Sequence, residues 1–337
     1  MHDQTTRITT QLRTLALLLC VSCAALADPP PGYYDSVNAS NSTTLRTTLH
    51  AVIDDHERIR YTHDTQTDTW DVLELADEDP DDAGRILDVY KNASYEKFGG
   101  GNGPYNREHT WPNSYGFSDN SEGGCSDNDP DTDCNYAYAD CHALFMSHDL
   151  YNFSRGNTLY RNCHAGCLEK PTDENNGQGG GSGEYPGNSN WRTGSGSSGT
   201  WETWSGRRGD VARALFYMDV RYEGGTHGET GHDEPDLILT DDEDLIVVTE
   251  GPIAYMGILT VLLQWHVEDP VDDVEHSRND VVFSFQENRN PFIDHPEWAA
   301  CLFLNECNAG CPQDLNGDGS VGAFDLAIVL GSWGPCE

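Results

Sequence analysis

The chain has 337 residues, with 19 Lys and Arg against 57 Asp and Glu, for a formal net charge of −38. Its length allows about two domains and a sizeable core. The charge, if evenly spread, excludes the basic footprint that phosphate binding needs. It is uneven: Glu229 to Glu287 clusters acids such as Asp241-Asp242-Glu243-Asp244 with Arg278 as its only cation. Between Leu150 and Tyr222, by contrast, Arg155, Arg161, Lys170, Arg192, Arg207, Arg208, Arg213 and Arg221 roughly balance the acids.

Arg7 and Arg13 precede the apolar run Leu15 to Val21, and Ala25-Leu26-Ala27 supplies a small-x-small cleavage pattern. Residues 1–27 therefore read as a secretory signal peptide, which places the mature chain in a secreted or periplasmic compartment. Signal-anchor retention is the alternative, but the apolar run is short for a bilayer, and no membrane span is expected in the mature chain. A Pro-rich leader occupies 28–41. Nine cysteines follow the cleavage site, and export makes disulfides the expectation. Local spacing suggests Cys125 with Cys134, Cys163 with Cys167, Cys301 with Cys307 and Cys311 with Cys336, leaving Cys141 over. A zinc site at Cys163-His164-Ala165-Gly166-Cys167 is the competing account, although no second ligand pair stands at zinc-finger spacing.

Ser42-Thr43-Thr44 can cap a helix whose apolar residues Leu45, Leu49, Val52 and Ile53 recur at helical spacing. Trp70 to Leu75 and Arg85 to Tyr90 read as short strands. Gly99-Gly100-Gly101 then breaks the chain before Tyr105-Asn106-Arg107-Glu108-His109-Thr110-Trp111-Pro112, so a strand and a loop should deliver Glu108 and His109 to a surface. Alone, such a pair is most often an ordinary exposed dipeptide. Chemically it offers a hard oxygen ligand suited to Mg²⁺ beside an imidazole that can take a proton from water near neutral pH.

Ser118 to Cys134 is Asp- and Asn-rich and reads as a solvated, disulfide-closed loop, with incidental calcium binding as the alternative. Asn152, Arg155 and Asn157 form a compact polar set, either turn chemistry or a neutral metal ligand beside a planar fork for phosphate. Asn175 to Gly199, dominated by Gly, Ser and Asn, reads as a flexible surface insertion. Asp210 should cap a helix that turns Val211, Leu215, Met218 and Tyr222 inward, and Ile253 to Val267 reads as one buried helix.

The tail, 311–337, holds Asp314-Leu315-Asn316-Gly317-Asp318-Gly319-Ser320-Val321-Gly322-Ala323-Phe324-Asp325. This fits the twelve-position calcium loop, with Asp314, Asn316 and Asp318 at positions 1, 3 and 5, Gly319 at the turn, the Ser320 carbonyl at 7 and Asp325 at 12. It resembles one half of a dockerin repeat, a Ca²⁺-binding attachment module whose partner would be a cohesin-like protein or a surface. The second copy that dockerins ordinarily carry is missing.

Five stretches in order resemble the bacterial endonuclease I family of secreted ββα-metal nucleases: Asn106 to Pro112; Ala139-Asp140-Cys141-His142-Ala143-Leu144 with Asn152 and Arg155-Gly156-Asn157; Arg208 to Met218; Leu263-Gln264-Trp265-His266 through Asp269-Pro270; and Asn288 to Glu297. The resemblance covers roughly residues 45 to 300 and departs at Cys141, where the family usually has an aliphatic residue. It implies an α+β fold with a ββα core and surrounding helices over 42–306, to which the tail adds a small EF-hand-like module. It also implies cleavage of DNA, and of RNA, with His109 as general base, Glu108 and Asn152 as Mg²⁺ ligands and Arg155 as a phosphate contact. An inactive extracellular calcium-binding scaffold with the same fold is the alternative, against which all three residues of the expected site are present. A secreted zinc hydrolase would need a His-Glu-x-x-His spacing that the chain lacks.

Overall fold

The computed structural model describes residues 29–100, 103–117, 136–181 and 183–307. The expected signal peptide, the loop 118–134, the expected Cys125–Cys134 and Cys311–Cys336 pairings and the expected calcium loop therefore lie outside the described residues. Helix α1, Ser42–Ile53, buries Leu45, Leu49 and Ile53 as its spacing predicts. Its cap is one residue earlier than expected, since Asn41 Oδ1 accepts the Thr44 N–H at 2.9 Å. The strand expected over 70–75 is instead helix α2, Thr69–Ala76. Asp68 accepts the N–H of Trp70 at 2.7 Å while the Asp71 carboxylate takes the N–H of Asp68 at 3.1 Å. That reciprocal cap starts a helix where alternation alone suggested a strand. Strands β1 (Glu78–Asp79), β2 (Asp82–Leu87) and β3 (Ser94–Glu96) make an antiparallel sheet, so the strand expected at 85–90 begins and ends earlier.

Strand β4, Tyr105–His109, pairs antiparallel with β5, Leu144–His148, putting His109 opposite Leu144 and Glu108 opposite Phe145. The short helix α3, Tyr136–Ala139, precedes β5, and α4, Asp149–Arg155, follows it without a break. The pair is packed on both sides. Phe145 belongs to the main core, whereas Tyr105, Leu144 and Met146 join Trp70, Val72, Leu73 and Ile86 in a second one. A one-residue slip would exchange every one of these contacts, so the register of the hairpin is strongly specified.

A four-stranded sheet in the order β6 (Leu159–Tyr160), β9 (Thr200–Glu202), β8 (Ser189–Thr193), β7 (Leu168–Pro171) flanks this unit. The Gly-rich stretch expected to be a flexible insertion thus contains an inner strand. Asn190 and Trp191 are buried in β8, and Asn190 Nδ2 donates to the Tyr90 carbonyl at 2.6 Å. One buried side chain on each face suffices for so short a strand. Cys163–Cys167 and Cys301–Cys307 are disulfides, so the sulfurs of the possible zinc site are bonded to each other, and Cys141 is free and buried.

Helix α5, Arg208–Arg221, runs through the core with every residue from Gly209 onward buried. The expected cap at Asp210 is corrected: its carboxylate takes the Arg207 guanidinium at 2.7 Å from the first turn. Gly209 is required there, because a Cβ would lie 2.1 Å from the Asp269 carbonyl oxygen. The single helix expected over 253–267 is two elements, strand β11 (Ile253–Met256), parallel to β10 (Asp236–Leu239), and helix α6 (Leu259–Glu268). Alternating burial in β11 satisfies a strand, and only Leu262 and Trp265 of α6 are buried. Helices α7 (Asp273–Gln286), α8 (Pro291–Asp294) and α9 (Trp298–Leu304) complete the described fold. Mixed helix and sheet agree with the expected α+β class, and among the described residues no helix is long and apolar enough to cross a membrane.

Beneath α5, the Arg221 guanidinium binds Glu234 at 2.7 Å and donates through Nε to His56 Nδ1 at 2.9 Å. His56 must be neutral to accept that bond. Burial, opposed by Asp140 and helped by Arg221, His142 and His227, lowers its pKa to about 3. As pH falls below the ordinary histidine value, the unfolded chain takes up a proton that the folded chain refuses, so His56 weakens the fold toward acid. A His56→Gln variant lacks this term. Its stability deficit should therefore be largest near pH 7.5 and shrink by about 2 kcal/mol near pH 5, as measured by urea unfolding. An equal deficit at both pH values would show that His56 is not held neutral.

Candidate active site

Because side chains alternate along a strand, Arg107 and His109 leave one face of β4 and Glu108 the other. Arg107 anchors the segment that covers its face. Its guanidinium donates to the Tyr61 carbonyl, to Thr69 Oγ1 at 2.8 Å and to Thr62 Oγ1 at 3.1 Å, and lies 3.5 Å from the Tyr61 ring centroid. The same Tyr61 ring stacks on His109, centroids 5.9 Å apart, while Tyr138 and Phe117 close the imidazole in at 4.7 and 6.1 Å.

His109 Nε2 lies 2.8 Å from the Tyr138 carbonyl oxygen. A carbonyl can only accept, so Nε2 carries the proton and Nδ1 carries the lone pair. Burial, with Arg107 and Arg155 nearby and opposed by the Tyr138 bond, lowers the imidazole pKa to about 4. His109 is thus neutral at pH 7, protonated on Nε2 alone, and Nδ1 can receive a proton.

Glu108 is 2% exposed. Tyr90 donates its hydroxyl to Oε1 at 2.9 Å, and Arg155 Nη1 stands 3.3 Å from the same oxygen. Burial outweighs both partners and raises the carboxyl pKa to about 7. Oε2 accepts no hydrogen bond from the described residues. Asn152, on α4, donates Nδ2 to the Arg107 carbonyl at 3.0 Å, which fixes the amide orientation and leaves Oδ1 without a partner among the described residues. One carboxylate oxygen and one amide oxygen are free, the hard donor set that Mg²⁺ takes when it keeps most of its waters. Among the described residues no cluster of three or more His, Cys, Asp or Glu offers a competing site.

Arg155 is 1% exposed. Its fork donates to the carbonyls of His109 at 3.0 Å, Thr110 at 2.5 Å and Gly156 at 3.0 Å, and its carbon lies 4.5 Å from the Tyr160 ring. It stands behind the strand end and faces Glu108. Of the residues expected from the sequence, His109, Glu108, Asn152 and Arg155 therefore meet at one end of the hairpin, and the calcium ligands Asp314, Asn316, Asp318, Ser320 and Asp325 lie outside the described residues. Tyr90 and the Tyr138 carbonyl were not visible as site groups. Tyr90 has no motif around it, and a backbone carbonyl leaves no mark in a sequence.

Residues 41–297 match the model of the endonuclease I family, a span that contains all five resembling stretches. The chain belongs to the endonuclease I family. It is also 35% identical over 286 residues to an extracellular ribonuclease of Bacillus subtilis, covering 84% of this chain and 82% of that one. An extracellular ribonuclease of Bacillus amyloliquefaciens is 36% identical over 270 residues, 79% of this chain and 76% of the relative. In this endonuclease I chain the Arg155–Glu108 pair is buried on both sides, so removing one partner strands the other. Arg155→Met should cost about 3–5 kcal/mol of folding stability, and Tyr90→Phe about 1.5–3 kcal/mol. Chemical denaturation of both variants checks this, and a fully stable Arg155→Met protein would show that the guanidinium does not hold the strand end.

Proposed function

We propose that the chain is an exported, Mg²⁺-dependent endonuclease that hydrolyses phosphodiester bonds of RNA and DNA with little sequence preference, leaving 5′-phosphorylated ends. The observation that carries this reading is the pair of fixed orientations. Tyr138 consumes His109 Nε2 and the Arg107 carbonyl consumes Asn152 Nδ2, so a base nitrogen and a ligand oxygen are left open at one strand end. Export is supported by the names of the Bacillus relatives, which are extracellular ribonucleases.

In this reading a water attacks the phosphorus while His109 Nδ1 takes its proton, and the bond from phosphorus to the 3′ oxygen breaks. Held by Glu108 Oε2 and Asn152 Oδ1, Mg²⁺ would supply charge neutralisation at the phosphate and the departing 3′ oxygen. The Tyr138 bond keeps the imidazole in one tautomer, and the Tyr61 ring keeps it in one plane. Arg155, expected from the sequence as a phosphate contact, serves here to hold Glu108 and the His109–Thr110 backbone. Contacts confined to phosphate carry no sequence information, which supports low sequence preference.

His109→Ala should lower kcat by about 10² to 10⁴-fold on both RNA and plasmid DNA. Glu108→Gln and Asn152→Ala should each move the Mg²⁺ midpoint of cleavage to higher concentration. Cleavage by His109→Ala at the parent rate, or midpoints unchanged in both ligand variants, would sink the assignments.

The same reading makes residues 311–337 a Ca²⁺-stiffened attachment unit that takes no part in cleavage, through Asp314, Asn316, Asp318, Ser320 and Asp325. Truncation at residue 310 should abolish one calorimetric Ca²⁺ site and leave the cleavage rate intact. Retained Ca²⁺ binding, or lost cleavage, would overturn it.

A further inference from the structure

The β4–β5 hairpin is a sheet of two strands, so the outer edge of β5 has no neighbouring strand. Two of its outward N–H groups are taken by buried carboxylates instead. Asp77 Oδ2 accepts the Met146 N–H at 2.6 Å, and Asp88 Oδ2 accepts the His148 N–H. The two acids differ in what else they hold. Asp77 pairs with the Arg278 guanidinium at 2.8 Å. Asp88 is fully buried and forms no ion pair among the described residues, while Lys91 in its own turn pairs with Asp173 at 3.1 Å. The other partners of Asp88 are backbone groups: Oδ1 accepts the Lys91 N–H, and the Tyr90 N–H adds a third bond. A carboxylate held out of water without a cation is costly, and these N–H donors replace its hydration.

Those donors belong to two separate segments, and each serves the candidate site. Tyr90 donates its hydroxyl to Glu108 Oε1 at 2.9 Å. His148 stands where β5 becomes α4, and its Nδ1 caps the helix by accepting the Leu150 N–H at 3.1 Å. Asn152 follows about one helical turn later and donates to the Arg107 carbonyl at 3.0 Å. One side chain therefore joins the turn that occupies an oxygen of Glu108 to the helix start that carries the Asn152 amide.

We propose that Asp88 is a positioning residue whose two carboxylate oxygens tie the Tyr90 turn to the start of α4, and so set the spacing between Glu108 Oε2 and Asn152 Oδ1. This rests on the reading of those two oxygens as Mg²⁺ ligands. The tie needs both Asp88 oxygens as acceptors. An asparagine has one acceptor oxygen and one donor amide, so whichever way the side chain of Asp88→Asn turns, the N–H of Lys91 or of His148 faces another donor and that link opens. Asp77→Asn makes the same exchange two residues back on the same edge and strands Arg278, but the Asp77 carboxylate reaches neither the Tyr90 turn nor α4.

Calorimetric titration of the full chain with Mg²⁺ alone tests this, read on the binding step that Glu108→Gln weakens. Asp88→Asn should weaken that step about tenfold, whereas Asp77→Asn should leave it within about twofold of the parent while still losing stability to urea. Asp88→Ser, smaller and with one short-reaching oxygen, should weaken the step likewise and serves where the asparagine variant does not fold. An unchanged step in the Asp88 variants, or an equal loss in Asp77→Asn, reduces Asp88 to support of a strand edge and overturns the tie. If the parent takes up no Mg²⁺ that Glu108→Gln affects, the metal reading fails instead. The tie is then read in metal-free protein from the Asn152 side-chain amide resonance by NMR. Asp88→Asn should shift that resonance and Asp77→Asn should not; an equal response overturns the tie.

Discussion

The Arg155 guanidinium is the tie on which the rest of the site depends. A planar fork with five fixed donors can hold two backbone carbonyls and a carboxylate at once, and here it takes the carbonyls of His109 and Thr110 while facing Glu108. That fixes where β4 stops and hence where the Glu108 and His109 side chains leave the backbone. The two-sided packing of the hairpin does the complementary job of fixing register, with Phe145 in one core and Leu144 and Met146 in the other. Position along the strand and rotation about it are therefore set by different forces, one polar and one apolar.

The same economy shapes the electrostatics. Arg155, Arg213, Arg221, Arg278 and Arg289 are all buried, each facing a carboxylate: Glu108, Glu275, Glu234, Asp77 and Asp294 respectively. Cations spent inside the fold are not available outside it, so the surface of an already acidic chain is left with few groups to attract a polyanion. Long-range attraction is weak under these conditions. Recognition then falls to short-range contacts near the strand end, where His109 is held in one tautomer and Glu108 Oε2 and Asn152 Oδ1 accept no hydrogen bond from the described residues.

The candidate site was legible as a grouping, because its residues sit in two short runs, Asn106 to Pro112 and Asn152 to Asn157. Their grouping at one hairpin end follows from the direct β4, β5, α4 succession. What the sequence concealed was local competition. Trp70 to Leu75 is compatible with either periodicity, and the reciprocal Asp68–Asp71 cap decides for helix. Ile253 to Val267 is mostly apolar, and only pairing with β10 reveals that its first four residues form a strand. Asp210 reads as a cap because acidic residues favour a first turn; in the fold it holds Arg207 from within that turn.

The Gly-rich stretch shows why composition misleads where a few buried contacts decide. Trp204 donates its indole N–H to the Val89 carbonyl at 2.9 Å, and Asn190 donates to the carbonyl of Tyr90 at 2.6 Å. Asn190 Oδ1 in turn accepts the Trp204 N–H at 3.2 Å, so the two residues brace one another. Together they hold the segment that sends the Tyr90 hydroxyl to Glu108 Oε1. Occupying that oxygen is what leaves Oε2 as the open one. A stretch that looks like surface decoration therefore helps set, through Asn190 and with Trp204 just beyond it, which oxygen of the buried Glu108 carboxylate stays free of a hydrogen bond from the described residues.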